Sequence, residues 1–405
     1  MHVYFKSITL ENVRCFGQKQ TVDFTDKDGN ASMWNLILGD NGTGKTTVLR
    51  GLADFVDDRT NERKYFYRSE KNSKIEFLLL QYFENGQTSQ IFKKTSSFAP
   101  IRPKPYSDDF EQYQMALFAY GASRQIGHSE ISSGQNSPII NLIDESVPLL
   151  NAEEWLVQAE YLSLKDKSQP NRFAQAKDLL LRLFKGEISD IKIETNGSNG
   201  KKVNVLFKTN FGWVTLHQLS LGYKTLLAWM LDFARGLFER YPDSLNPLAE
   251  PAICLVDEID LHLHPRFQRK IIGFLSGIFP KTQFIVTTHS PLVVQTAADA
   301  GANIILLERK GDQVLVNNDP KVVQKWRIDQ ILTSDLFGLD TTLSPDADKN
   351  MERRRNLLRK DTRTEKEENE LTELESSFDI VPPEESSLGK QMIEHLKKLE
   401  TSFPT

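Results

Sequence analysis

Residues Gly39-Asp40-Asn41-Gly42-Thr43-Gly44-Lys45-Thr46 form a complete G-x-x-x-x-G-K-T sequence. An apolar run from Trp34 to Leu38 precedes it, and Thr47-Val48-Leu49-Arg50-Gly51-Leu52 reads as the start of a helix. Strand, loop and helix in that order make a phosphate-binding device rather than a glycine-rich surface turn. Glycines let backbone N–H groups turn inward around a polyphosphate, and the helix N-terminus adds the positive end of its dipole. Lys45 is expected to reach the β- and γ-phosphates, and Thr46 to offer its hydroxyl to Mg²⁺. The expected ligand is a nucleoside triphosphate held along Gly39 to Thr47.

Two further patterns supply the remaining chemistry. Ile253-Cys254-Leu255-Val256-Asp257-Glu258 is four apolar residues followed by two acids, as a buried strand would place them at its carboxyl end. Phosphoryl transfer needs charge neutralisation, positioning and a base near the γ-phosphate. Asp257 is therefore assigned to Mg²⁺, through water, and Glu258 to the attacking water. Thr287-Thr288-His289-Ser290-Pro291 ends the next apolar run, where His289 can donate a hydrogen bond to the γ-phosphate and sense its presence. His262 and His264 alternate in a manner that can bind metal, but no third ligand is near in sequence. The segment around them reads better as a loop at a dimer interface.

Positioning these groups requires a particular framework. Residues 1–25 alternate apolar and polar positions, which predicts two strands joined near Gly17. Ile75–Phe83 and Gln90–Lys94 read as a hairpin around Asn85-Gly86, and Pro100, Pro103 and Pro105 mark an irregular excursion. Met115–Tyr120 is a buried strand candidate, 125–148 a glycine- and serine-containing loop, and 153–164 and 172–184 helices. A second hairpin is expected from Ile188–Glu194 and Val203–Thr209, then a helix over 225–238. Strongly apolar strands alternating with helices imply a parallel sheet covered on both faces. The tail reads as one long charged helix over 346–376, a break at Pro382-Pro383, and a short amphipathic helix.

The bulk properties are those of an ordinary soluble chain: 405 residues, 39% hydrophobic, 26% charged, net charge −5. No apolar stretch approaches the roughly 20 residues that cross a bilayer. The N-terminus lacks a secretory apolar region, and the only two cysteines, Cys15 and Cys254, sit among apolar neighbours like small core residues. A cytoplasmic location is expected. The acidic balance gives no global attraction to DNA, so such contact would need a local patch.

Leu219-Ser220-Leu221-Gly222-Tyr223-Lys224 then precedes the helix over 225–238. The order phosphate loop, Leu-Ser-x-Gly, Asp-Glu strand, Asp260 loop and His289 resembles the ATP-binding-cassette ATPases. Ile8-x-Leu10-x-Asn12-Val13-Arg14-x-Phe16 resembles the opening strand of the branch that includes RecF and the SMC and OLD-type ATPases. Tyr120-Gly121-Ala122-Ser123-Arg124 and His262-x-His264-Pro265 resemble stand-alone bacterial anti-phage defence ATPases, such as the ATPase of Septu systems. The resemblance covers about residues 1–310.

It implies an α/β fold: an ABC-type ATPase head, with a mixed N-terminal β-lobe, a parallel-sheet P-loop core, a helical insertion and a charged helical tail. The corresponding boundaries are 1–125 for the N-terminal lobe, 126–187 for the insertion, 188–318 for the C-terminal lobe and 319–405 for the tail. It further implies ATP and Mg²⁺, with Arg14 at the nucleotide. A homodimer would sandwich two ATP molecules, Ser220 and Gly222 of one copy facing the γ-phosphate held by Lys45 of the other. Leu221 and Tyr223 depart from the commonest Leu-Ser-Gly-Gly-Gln form. The expected glutamine loop has two candidate positions, Gln81 and the Arg124 region.

No heptad array or Cys-x-x-Cys hook suggests a long coiled-coil tether, and after His289 no Asp-x-Asp constellation falls in a strand context, so any nuclease is expected to be another chain. The reading is an ATP-driven switch of a defence system that controls an effector nuclease in trans. The alternatives are a RecF-like ATPase touching DNA through basic residues 59–74 or 353–360, and a nucleotide sensor of slow turnover.

Overall fold

The computed structural model describes residues 2–55, 73–83, 88–93, 115–124, 137–149, 151–165, 171–196, 202–321, 324–360 and 362–377. The chain forms two compact units, Met1–Gly338 and Leu339–Thr405. In chain order the first opens with β1 (His2–Glu11), β2 (Gln20–Asp23), β3 (Trp34–Gly39) and α1 (Lys45–Ala53), then β4 (Lys74–Tyr82), β5 (Thr88–Lys93) and β6 (Leu117–Tyr120). Helices α2 (Ile140–Ile143), α3 (Ala152–Lys165) and α4 (Arg172–Leu183) lead to β7 (Ile188–Asn196), β8 (Lys202–Thr209) and β9 (Gly212–Thr215). Helix α5 (Leu221–Arg240) precedes β10 (Ala252–Val256), α6 (Pro265–Gln268), α7 (Ile271–Ile278), β11 (Thr282–Thr287) and α8 (Pro291–Asp299). The first unit closes with β12 (Asn303–Lys310), β13 (Gln313–Asn317) and α9 (Ile328–Leu332).

The central sheet has the order β13-β12-β3-β11-β10-β6. From β12 to β6 every pairing is parallel, and β13 adds an antiparallel edge. Side chains alternate across it, so Leu36 and Leu38 join one buried layer with α5 and α8, while Ile37 joins the other with α1 and β1. That two-sided burial explains the unbroken apolar runs read in the sequence. An antiparallel sheet, β2-β1-β4-β5, confirms both N-terminal pairings, and β7-β8-β9 forms a third sheet. The turn at Asn85-Gly86, the proline-containing stretch and the segment after Pro382 lie outside the described residues.

Three expectations need correction. Residues 125–148 are not all loop: Ile140–Ile143 is helical, and the Asn141 side chain ties it beneath β6 by accepting the Gly121 N–H and donating to the Val147 carbonyl. Helix α5 starts earlier than the predicted Thr225, with Ser220 as its N-cap residue. The charged tail is two helices, α10 (Pro345–Leu358) and α11 (Glu365–Ser377). A reciprocal pair, the Thr364 N–H donating to Glu367 and the Glu367 N–H to Thr364 Oγ1, restarts the helix there.

In this second unit Arg353 forms a forked pair with Glu370 at 2.8 and 3.0 Å, Arg354 meets Glu375 and Lys360 meets Glu367. The basic run weighed as a DNA patch is thus substantially neutralised from within. Of the earlier run only Lys74 is described, and it pairs with Glu11.

Helix α5 lies directly on β6, with Gly236 facing the Phe118 ring so closely that an added Cβ would strike it. Gly236→Ala should therefore destabilise the chain by about 1–2 kcal/mol, overpacking outweighing the better helix propensity of alanine. Denaturant unfolding reads this directly; a variant more stable than the parent would show that α5 is not so tightly seated.

Candidate functional site

The carboxyl ends of β3, β6, β10 and β11 all open on one edge of the parallel sheet, the edge where α/β folds bind ligands. Between β3 and α1 runs the glycine loop. Gly44 occupies the left-handed region at φ +91°, and a side chain there would collide with Cys15 and the Phe16 ring. Glycine is required at this position on both counts. The first turn of α1 then directs its unpaired amides toward the cleft mouth, a ready anion site.

Lys45 is buried, and its Nζ donates to the carbonyls of Gly39 at 2.8 Å and Asp40 at 2.9 Å. Burial lowers its pKa, opposed by the nearby carboxylates of Asp257, Glu258 and Asp40. Thr43 Oγ1 also donates to the Asp40 carbonyl, which stiffens the loop from inside. Thr46 Oγ1 donates to Asp257 Oδ2 at 2.6 Å, joining the helix start to the end of β10. Asp257 is only 4% exposed, and its other oxygen, Oδ1, accepts the Thr287 hydroxyl at 2.5 Å. Thr287 Oγ1 in turn accepts the Glu258 N–H at 2.7 Å. A hydroxyl and a buried carboxylate side by side form a hard oxygen donor set of the kind Mg²⁺ prefers.

Arg14, Asn41, Gly42, Gly44, Lys45, Thr46, Thr47, Asp257, Glu258 and His289 line one cleft of about 390 Å³, together with Cys15. The residues singled out in four separate stretches of sequence therefore converge. Arg14 and Glu258 both hold positive φ, at 46° and 49°, a strained state for residues with side chains. Burial depresses the Arg14 guanidinium, with Arg50 adding to the effect. His289 is exposed at the cleft, its N–H 3.4 Å from Asp260 Oδ1, which also accepts the Thr288 hydroxyl. Gly39, Asp40 and Thr43 support the loop rather than line the cleft.

Ser220 and Gly222 do not join this cleft. Ser220 is exposed at the N-terminus of α5, and its side chain caps nothing. Gly222 lies so close to the His262 carbonyl that a Cβ would collide with it, so glycine here serves backbone contact within the chain. Of the two candidate glutamine-loop positions, Gln81 sits within β4, accepting the Ser89 hydroxyl, whereas Arg124 contacts the acid pair through the Glu258 carbonyl. His264 Nδ1 accepts the Arg266 N–H and caps α6; among the described residues no group of three or more His, Cys, Asp and Glu side chains is gathered as a metal site.

Sequence reading missed two members. Cys15, expected in the core, lines the cleft because the tight Val13–Phe16 bridge lifts it over the loop, with Sγ 3.5 Å from the Thr43 carbonyl. In residue order Thr287 is only the end of an apolar run. Aligning the ends of the two runs would have found it, since Val256 pairs with Val286 and leaves Asp257 opposite Thr287. Thr287→Val should remove a donor from one buried group and an acceptor from another, costing about 2 kcal/mol. Urea denaturation measures that loss; unchanged stability would mean the bridge is not formed.

The Septu protein PtuA of Bacillus mycoides (strain KBAB4) is 28% identical over 93% of this chain, which spans 51% of that protein. The Septu protein PtuA of Bacillus thuringiensis is 24% identical over 77% of this chain and 80% of its own length. Among solved structures, the SMC head domain from Thermotoga maritima gives a TM-score of 0.42 at 14% identity, covering 80% of this chain and 100% of that one. The chain spans about half the length of the first of these relatives. Residues 35–295 match the model described as "AAA domain, putative AbiEii toxin, Type IV TA system", and the chain belongs to that family.

Proposed function

We propose that this protein is an ATP-hydrolysing switch of an anti-phage defence system, which pairs head to head on ATP and controls an effector nuclease in trans. The observation that carries the reading is the convergence of Lys45, Thr46, Asp257, Glu258 and His289 on one cleft at the carboxyl edge of the sheet. Lys45 leaves its loop carbonyls for the β- and γ-phosphates, and the α1 amides receive the phosphate oxygens. Thr46 and Asp257 would hold Mg²⁺, which when bound neutralises charge on the transferring phosphoryl group. Glu258 takes the proton of the water that attacks the γ-phosphorus as the bond to the ADP oxygen breaks. His289 donates a hydrogen bond to the γ-phosphate.

Pairing is supported by the placement of Ser220. An exposed helix N-terminus beside Leu221, itself 59% exposed, offers an anion site that no side chain among the described residues caps. The defence role rests on the two Septu relatives, and control of a nuclease in trans is part of the same reading. Direct DNA binding is less favoured, because acids of α11 pair the basic face of α10. No described helix is long and apolar enough to cross a membrane.

Lys45→Ala should lose nucleotide binding by at least about tenfold, since a buried phosphate partner is removed. Glu258→Gln should keep ATP while turnover falls by about 100-fold or more, as expected for loss of a general base. Equilibrium binding and phosphate release distinguish the two. Turnover at the parental rate in Glu258→Gln would remove Glu258 from the base role.

A further inference from the structure

Arg124 lies four residues beyond the end of β6, 1% exposed, with a positive φ of 34°. Its Nη2 donates to the Glu258 backbone carbonyl at 2.6 Å, and its buried Nε–H finds no acceptor among the described residues. Burial lowers its pKa to about 10, and the carboxylates of Asp257, Asp260 and Glu258 work against that fall, so the group stays charged near neutral pH. Its neighbours are firmly held: Ser123 Oγ donates to the Glu145 carbonyl, and the Gly121 N–H donates to Asn141. A fixed stem thus aims a cation at one backbone atom.

Packing alone does not account for such a residue. A buried cation with an unused donor carries a desolvation penalty that a methionine of similar length avoids. The atom it meets is also particular. Glu258 has φ 49°, a conformation disfavoured for any residue with a Cβ. Its N–H is fixed by Thr287 Oγ1 and its carbonyl receives both Arg124 and the Leu261 N–H. The backbone on each side of the acid is therefore pinned, and the rotation that would release the strain is blocked.

We propose that Arg124 is a positioning residue: its guanidinium clamps the Glu258 carbonyl and keeps the acid's backbone in the left-handed state that sets its carboxylate in the cleft. This rests on the reading of Glu258 as the base. Arg124 touches no reacting atom, and the clamp acts on turnover rather than on nucleotide affinity.

The test uses the full chain and compares Arg124→Met, Arg124→Lys and Glu258→Gln. Steady-state hydrolysis of MgATP, affinity for a non-hydrolysable ATP analogue, and melting temperature are measured for each. Arg124→Met should lower kcat by about 10- to 100-fold, the scale of a misplaced catalytic group, with analogue affinity within about threefold of the parent. Its melting temperature should stay at or above the parental value. Arg124→Lys, which restores a cation and one donor, should recover part of kcat. A parental kcat in Arg124→Met, or equal losses of kcat and affinity, overturns the clamp. Should Arg124→Met fail to fold, Arg124→Lys decides: a reduced kcat at unchanged affinity supports the clamp, and a parental kcat overturns it. Parental turnover in Glu258→Gln would instead overturn the base assignment, whatever Arg124 does.

Discussion

Asp257 joins three elements through its two oxygens. One accepts the hydroxyl of Thr46 on α1, and the other accepts the hydroxyl of Thr287 at the end of β11. A carboxylate left alone in that nearly dry position would carry a large desolvation penalty, so its two short charge-assisted bonds are the condition of its being there. Through them, the phosphate loop, the acid pair and the strand leading to His289 share one geometry. Thr287 extends the chain of contacts by accepting the Glu258 N–H, and Arg124 closes it from the carbonyl side.

The sheet order explains why this junction can exist. Strand β11 lies between β3 and β10, so its terminal threonine stands between the phosphate loop and the acids. Parallel pairing brings every carboxyl end to the same edge, and burial on both faces fixes the register. Beyond the strands the backbone leaves its relaxed states. Arg14, Arg124, Glu258 and His262 all hold positive φ, and such strain persists where surrounding contacts over-determine it. The helix carrying Ser220 is tied to the same frame. Tyr120 of β6 donates to Asp232 of α5, and Gly222 meets the His262 carbonyl.

Motifs whose chemistry follows the chain were readable without coordinates. The phosphate loop, the Asp257-Glu258 pair and His289 each sit where an apolar run ends, and that boundary is visible in residue order alone. Contacts that depend on which strands become neighbours were not readable in that way. Thr287 acquires its role only through the pairing of β10 with β11, and Cys15 reaches the cleft only through a four-residue turn. Arg124 was noted as a motif residue, but the carbonyl it binds is 134 positions away. The tail failed for a local reason. Its charge pattern is continuous, and only the Thr364–Glu367 capping pair divides it.

The proposed composite pocket is the claim on which the switch depends: the cleft holds the nucleotide, and the exposed start of α5 from a second copy completes it. The most direct measurement is the light-scattering mass of Glu258→Gln in MgATP, compared with the same variant carrying Ser220→Arg. A composite pocket requires a doubled mass for Glu258→Gln, return to a single-chain mass when Ser220→Arg is added, and nucleotide still bound through Lys45. A doubled mass that survives Ser220→Arg, or a single-chain mass for nucleotide-loaded Glu258→Gln at high concentration, would contradict it.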